Sequence, residues 1–308
     1  MSRFLFIVFI FASRLVASQT ADTTINQKDT THFFSEKQKL NTLLITGSTL
    51  YTGSLIGLYH LWYKDYPQSK FHWFNDNDEW FQMDKTSHAT NAYYMGFLGY
   101  NTLTWAGLDK NKSIWYGGFL GSFYLTVIEI LDGFSAGWGA SWGDIIANTS
   151  GSLLFSAQQS LWNNQYISLK HSFMPSPYAT YRPNLLGSNH IQSILKDYNG
   201  ITNWASFNIK PLFKNNDKFP DWICISIGQS GDGMIGAKNN PVNYQGQLMP
   251  EFVRQRQVFL SGDIDLSKLP VSSKTLRTIF KAASFIKIPF PAIEFNKTNG
   301  IKFHALYF

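Results

Sequence analysis

The stretch IWYGGFLGSFYLTVIEIL, residues 114–131, decides how the N-terminal half is read. One residue in its eighteen, Glu129, is charged. At about 1.5 Å of rise per residue, a helix of that length nearly crosses the hydrocarbon layer of a bilayer. Residues 43–61, 89–108 and 145–162 are similarly free of charge. All four are only moderately greasy, with many Gly, Ser, Thr, Asn and Tyr, so a buried soluble bundle competes with a spanning one. Gly53 and Gly57, and again Gly117 and Gly121, lie four apart on one helical face, the spacing that lets helices approach closely in lipid. Residues 66–82 mix Trp73, Phe74, Trp80 and Phe81 with acids and amides, which suits either a membrane-water interface or a loop capping the bundle.

The chain's start points to export. A basic Arg3, an apolar run over residues 4–12 and the small residues Ala17 and Ser18 follow the order of a secretory signal, which places a signal peptide at residues 1–18 and a flexible arm at 19–39. No cysteine follows the expected cleavage region, which speaks against lipid attachment at a mature N-terminal cysteine. Cys224 is the only cysteine, so neither an intramolecular disulfide nor a cysteine-based metal site is expected, and its apolar neighbours suggest a small buried thiol.

Beyond residue 163 the pattern changes. Turn-rich residues 171–199 carry Pro175, Pro177, Pro183 and Gly187, with a short helix expected near 191–198. Strand alternation then appears at Ile223, Ile225 and Ile227, and at Val258, Leu260, Ile264 and Leu266. Residues 274–287 show the spacing of a basic amphipathic helix, with Leu276, Ile279, Phe280 and Ala283 towards one side and Lys274, Arg277 and Lys281 near the other. Residues 302–308 alternate again and end in Phe308, like the last strand of an outer-membrane barrel, but the half holds too few strand runs to close even eight strands. The expected fold class is therefore α+β: a bundle of about four partly membrane-type helices at 40–163, followed by a smaller β-rich domain at 164–308 with one amphipathic helix.

Charge divides the same way. Residues 1–163 carry 10 Lys+Arg against 12 Asp+Glu, and residues 164–308 carry 16 against 8. Without a Lys/Arg run, a zinc-finger spacing or an RNA-binding aromatic motif, the expected anionic partner is a membrane lipid or an envelope glycan, with no role for nucleic acid. An envelope protein partner for the β-rich half is a further expectation.

Three polar groups interrupt the helices. Asp84, Lys85 and His88 read D-K-x-x-H; one turn of helix puts Asp84 and His88 on a shared face, where a first-turn acid and a hydrogen-bonded histidine are the structural alternatives. Glu129 and Asp132 close an uncharged run, where an acid is costly to ionise without a partner, whether that partner is functional or a structural ion pair with Lys85 or His88. Ser141 and Asp144 fit a helix-capping pattern, with Asn148 one turn further along. Were the three segments to pack together, these residues would converge on one polar cavity.

The order D-K-x-x-H, an acid pair, then G-x-S-W-G-D-x-x-A-N-x-x-G over residues 139–151 resembles the YfiM-like family of bacterial envelope proteins, of the Bacteroidetes type, and more distantly the VanZ-like family of small polytopic membrane proteins over residues 40–163. The resemblance implies a helical envelope domain without an assigned reaction; the expected location is the periplasmic side of the envelope, membrane-associated, with the outer membrane favoured over the inner. YfiM-like proteins are described as predicted periplasmic lipoproteins, and the missing N-terminal cysteine departs from that pattern.

Two functions follow. In the first, the protein is a membrane-associated structural or binding protein whose polar cluster is structural or takes a lipid or glycan headgroup, with Asp84, Asp132, Ser141 and Asn148 as binding residues. In the second, it is an enzyme acting on a lipid-linked or cell-wall substrate. There His88 shuttles protons, Glu129 or Asp144 is the general base and Lys85 steadies developing negative charge; in a variant, His88, Glu129, Asp132 and Asp144 hold a divalent cation. The absence of H-E-x-x-H, G-x-S-x-G, Walker and dinucleotide fingerprints favours the first and leaves any cofactor unknown.

Overall fold

The computed structural model describes residues 35–64, 66–213 and 218–308, apart from the side chains of Leu61 and Trp62. The expected signal peptide and nearly all of the arm lie outside these residues. The chain is α+β, with several helices and a mostly antiparallel sheet, and it divides into two compact units.

The helical unit takes its described residues from 35–76 and from Asn91–Gln165. Helix α1 runs Glu36–Leu58 and continues as a π-helical turn, Tyr59–Tyr63. It starts inside the expected arm because Ser35 caps it: the Ser35 hydroxyl accepts from Gln38 N while the Gln38 side chain accepts from Ser35 N. Helix α2 spans Met83–Trp105, and its residues from Asn91 onwards belong to this unit. A π-helical turn, Ser113–Gly117, leads into α3, Leu120–Asp132; α4 covers Trp142–Trp162 and stops at Asn163, whose φ of 51° turns the chain out of the helix. The apolar stretch that opens the sequence reading thus contains a change of helical pitch.

Glycine lets α2 and the segment leading into α3 approach backbone to backbone. A Cβ on Gly99 would stand 2.4 Å from the Gly117 carbonyl oxygen, one on Gly96 2.5 Å from that of Gly118, and one on Gly121 2.4 Å from that of Ala92. The second small-residue pair of the sequence is therefore a packing seam, whereas Gly53 and Gly57 on α1 have nothing within 4 Å of a built Cβ. Residues 68–74 run beside residues 133–140, with His72 N donating to Gly133 O, Phe74 N to Ala140 O and Ala140 N to His72 O. Aromatic rings remain exposed along this seam, including Trp73, which stacks on Trp142 at 4.3 Å.

The sheet unit comprises Asn77–Thr90 and Tyr166–Phe308. It is the larger of the two rather than the smaller, partly because the first turns of α2 belong to it. Its described residues form a six-stranded antiparallel sheet in chain order: β1 Ile167–Phe173, β2 Ile201–Asn208, β3 Ile223–Asp232, β4 Gln255–Ile264, β5 Phe290–Asn296 and β6 Gly300–Tyr307. Helix α5, His190–Lys196, precedes β2, and α6, Lys274–Ala283, capped by Ser273, lies between β4 and β5. One core gathers Trp80, Met83, Leu186, Ile201, Met234 and Ile235; another joins Trp204, Phe259 and Ala292.

The covered face of the sheet is mixed: beside Trp204, Phe259 and Ala292 it carries Lys170, Ser172, Thr202, Ser206, Ser226, Ser230, Ser261, Asp263 and Glu294, whereas Ile225, Ile227, Val258, Leu260, Ile293, Phe295, Ile301 and Phe303 face outward. Tyr307 on β6 reaches Thr202 on β2, oxygen to oxygen at 3.2 Å, although these strands are not neighbours, so the sheet curls around its covered face. A bulge between Phe290 and Ala292 makes this possible: it resets the register by one residue, turning Tyr307 inward and leaving Leu306 outside.

Candidate functional site

Of the residues singled out in sequence, Asp84, Lys85 and His88 belong to the sheet unit and Glu129, Asp132, Ser141, Asp144 and Asn148 to the helical unit. In the sheet unit, α2 begins after three consecutive non-glycine residues with positive φ, Trp80 at 48°, Phe81 at 54° and Gln82 at 59°. L-residues adopt this region singly and at a cost of roughly 1–2 kcal/mol each, so a run of three needs strong anchorage. Trp80 N donates to Ala237 O at 2.9 Å, the Gln229 amide donates to Phe81 O at 2.9 Å, and the Arg254 guanidinium lies 5.3 Å from the centre of the Phe81 ring.

This turn delivers Asp84 to the first turn of α2. Its carboxylate lies 3.3 Å from Lys85 Nζ and 3.6 Å from His88 Nε2, and it accepts a 2.5 Å hydrogen bond from the Tyr198 hydroxyl. Burial opposes ionisation of Asp84, but His88, Lys85 and Tyr198 outweigh it and hold the carboxyl below its ordinary range. Beside this group, the Asn203 amide of β2 donates to Thr86 Oγ1 at 2.8 Å, Ser87 Oγ at 3.0 Å and Met83 O at 3.3 Å, which docks the start of α2 on the sheet. An ionised acid touching an imidazole and an ammonium can hold a proton, orient one or bind a polar headgroup.

In the helical unit, Glu129 is buried, and its Oε2 accepts from Ser141 N at 3.1 Å. The Ser141 hydroxyl accepts from Asp144 N at 3.3 Å as the cap of α4 and donates to Asp76 Oδ1 at 2.6 Å. The Ser141–Asp144 pattern is thus half of a capping box, because Glu129 from α3 takes the N–H that a reciprocal side chain would take. Asp132, three residues on, accepts at Oδ1 from the Tyr63 hydroxyl at 2.6 Å and from Trp138 Nε1 at 2.5 Å. The two acids therefore tie down the loop of residues 133–141 at two points. Asp144 and Asn148 are both buried on α4.

Sequence reasoning missed Tyr198, Asn203, Asp76, Tyr63 and Trp138, each of which reaches its partner across a loop or a strand. It also missed a buried ionic cluster under the sheet. Lys170 Nζ lies 2.7 Å and Lys287 Nζ 3.8 Å from the Asp263 carboxylate, which also accepts from Ser206 and Ser226. Burial pulls the Lys287 ammonium down to about 8, opposed by Asp263. Inward positions on alternating strands were the available signal, but alternation does not say which side is covered.

Residues 72–158 match a family described as predicted periplasmic lipoprotein (DUF2279). That span holds every residue singled out from the helices, from Asp84 to Asn148, and it supports an exported envelope location on the periplasmic side. No curated protein and no solved structure matches the chain.

Proposed function

We propose that the protein is a membrane-associated structural or binding protein of the envelope, with α1 to α4 working as a membrane-type helical bundle. The observation that carries this reading is the apolar exterior of the helical unit: Trp115, Tyr116, Phe123, Trp142, Ile146 and Leu161 are each more than half exposed, while Glu129, Asp144 and Asn148 are buried. Large aromatic rings among exposed aliphatic side chains suit a lipid interface, where an amphipathic ring is half wet. Among the described residues, one helical stretch, Lys110–Asp132, is long and apolar enough to cross a membrane. Membrane association through exposed faces therefore fits better than four spanning helices.

In this reading the acids brace the loop of residues 133–141, the partner is a membrane lipid or an envelope glycan, and the outer membrane is favoured over the inner. Fractionation of the envelope tests it. Recovery with membranes and release by detergent are expected, and recovery in the soluble periplasmic fraction overturns the proposal.

The Asp84–His88 pair favours a second reading, an enzyme acting on a lipid-linked or cell-wall substrate, with His88 moving a proton and Lys85 steadying negative charge. His88→Ala separates the two: lost function at unchanged thermal stability indicates an active site, and parallel loss of both indicates a structural histidine.

A further inference from the structure

We infer that the outward face of the curled sheet lies against the acyl chains of an anionic bilayer, a contact that rests on the membrane reading above and assigns it to the β-rich unit. The outward side chains on β3 to β6, among them Ile227, Leu260, Ile293, Phe295, Ile301 and Phe303, form an apolar surface shared by four strands, and Ile301 and Phe303 are 72% and 68% exposed. Beneath it, the covered face holds two ion-paired groups, Lys170 and Lys287 on Asp263, and His304 on Glu294.

A docking patch for a water-soluble partner is ordinarily a limited apolar area on a protein whose core is apolar as well. Here the covered side sets buried ion pairs and serines beside the Trp204–Phe259–Ala292 cluster, while the outward side is apolar, as on strands whose solvent is lipid. Charge selects the occupant. Residues 164–308 carry 16 Lys+Arg against 8 Asp+Glu, including Lys274, Arg277 and Lys281 on α6, so a second copy of this unit is repelled and a negatively charged headgroup layer is attracted.

The test uses the full chain with Leu260→Cys or Phe303→Cys carrying a polarity-sensitive fluorophore; the native Cys224 is buried and serves as the unlabelled control. Vesicles are made of phosphatidylcholine with or without phosphatidylglycerol. With the anionic vesicles, both labels are expected to brighten, to be quenched by nitroxides on the acyl chains and to lose quenching by aqueous iodide severalfold. A Leu260→Asn/Phe303→Asn variant that keeps the wild-type melting temperature is expected to lose vesicle binding severalfold. If the chain binds vesicles while both labels stay open to iodide, this inference falls and the membrane reading stands. Failure to bind vesicles at all overturns both. Labels shielded without lipid, in a protein that sediments as a dimer, show that a second copy covers the face and overturn this inference.

Discussion

Lys170 Nζ sits 2.7 Å from Asp263 Oδ2 with neither side chain exposed to solvent. Lys287 contacts the same carboxylate and donates to Gly262 O and Ile288 O, each at 2.8 Å. Two buried ammonium groups thus share one acid. The sheet unit can hold this cluster because carbonyl oxygens and the serines of β2 and β3 complete its hydrogen bonds.

Asp263→Ala removes the shared acid and leaves two cations without their countercharge. The expected loss is about 3–5 kcal/mol of folding free energy, read by urea denaturation. An unchanged midpoint shows that the lysines are balanced by carbonyl groups alone.

The lowered Lys287 value has a defined sign. Between about 8 and the ordinary lysine value of 10.5, the unfolded chain binds more protons than the folded one, so this group makes stability rise with pH across that window. Lys287→Met is expected to flatten the slope there, as measured by denaturation at several alkaline pH values.

His171 acts on the acid side. Burial lowers it to about 4, with Asn203 opposing, so its contribution is complete above the ordinary value of 6.5 and is lost as pH falls from there towards 4. His171→Asn is expected to remove that part of the acid destabilisation, and an unaltered pH profile shows that another group is responsible.

Two glycine substitutions separate the seam from open surface. Gly99→Ala forces a Cβ against the Gly117 carbonyl oxygen and is expected to cost about 1–3 kcal/mol. Gly53→Ala meets nothing and is expected to raise stability by up to about 1 kcal/mol through helix propensity. Thermal melts of the two variants should move in opposite directions.

The existence of the main helices and several strands was legible because it depends on local pattern: charge-free stretches of helical length, the Ser141 cap, and the alternation at Ile223–Ile227. Strands β1, β2 and β5 were not legible. β1 alternates Ile167, Leu169 and Phe173 with Ser168, Lys170 and Ser172 but runs into the proline-rich stretch that reads as a turn region, and in β2 Asn203 and Trp204 break the apolar alternation. Likewise D-K-x-x-H put Asp84 beside His88 through the helical repeat alone, but nothing near it in sequence named Tyr198, which lies 114 residues away.

By itself the sequence determined the class of the main helices and of several strands, the basic excess of the second half and the helical spacing of the Asp84–His88 pair, all of which depend on neighbours along the chain. Tertiary structure alone decided which face of each strand is covered, that Glu129 and Asp132 brace a loop, and that Gly117 rather than Gly53 lies in a seam. These depend on which surfaces meet, and a periodic pattern shows the same alternation whichever side is turned inward.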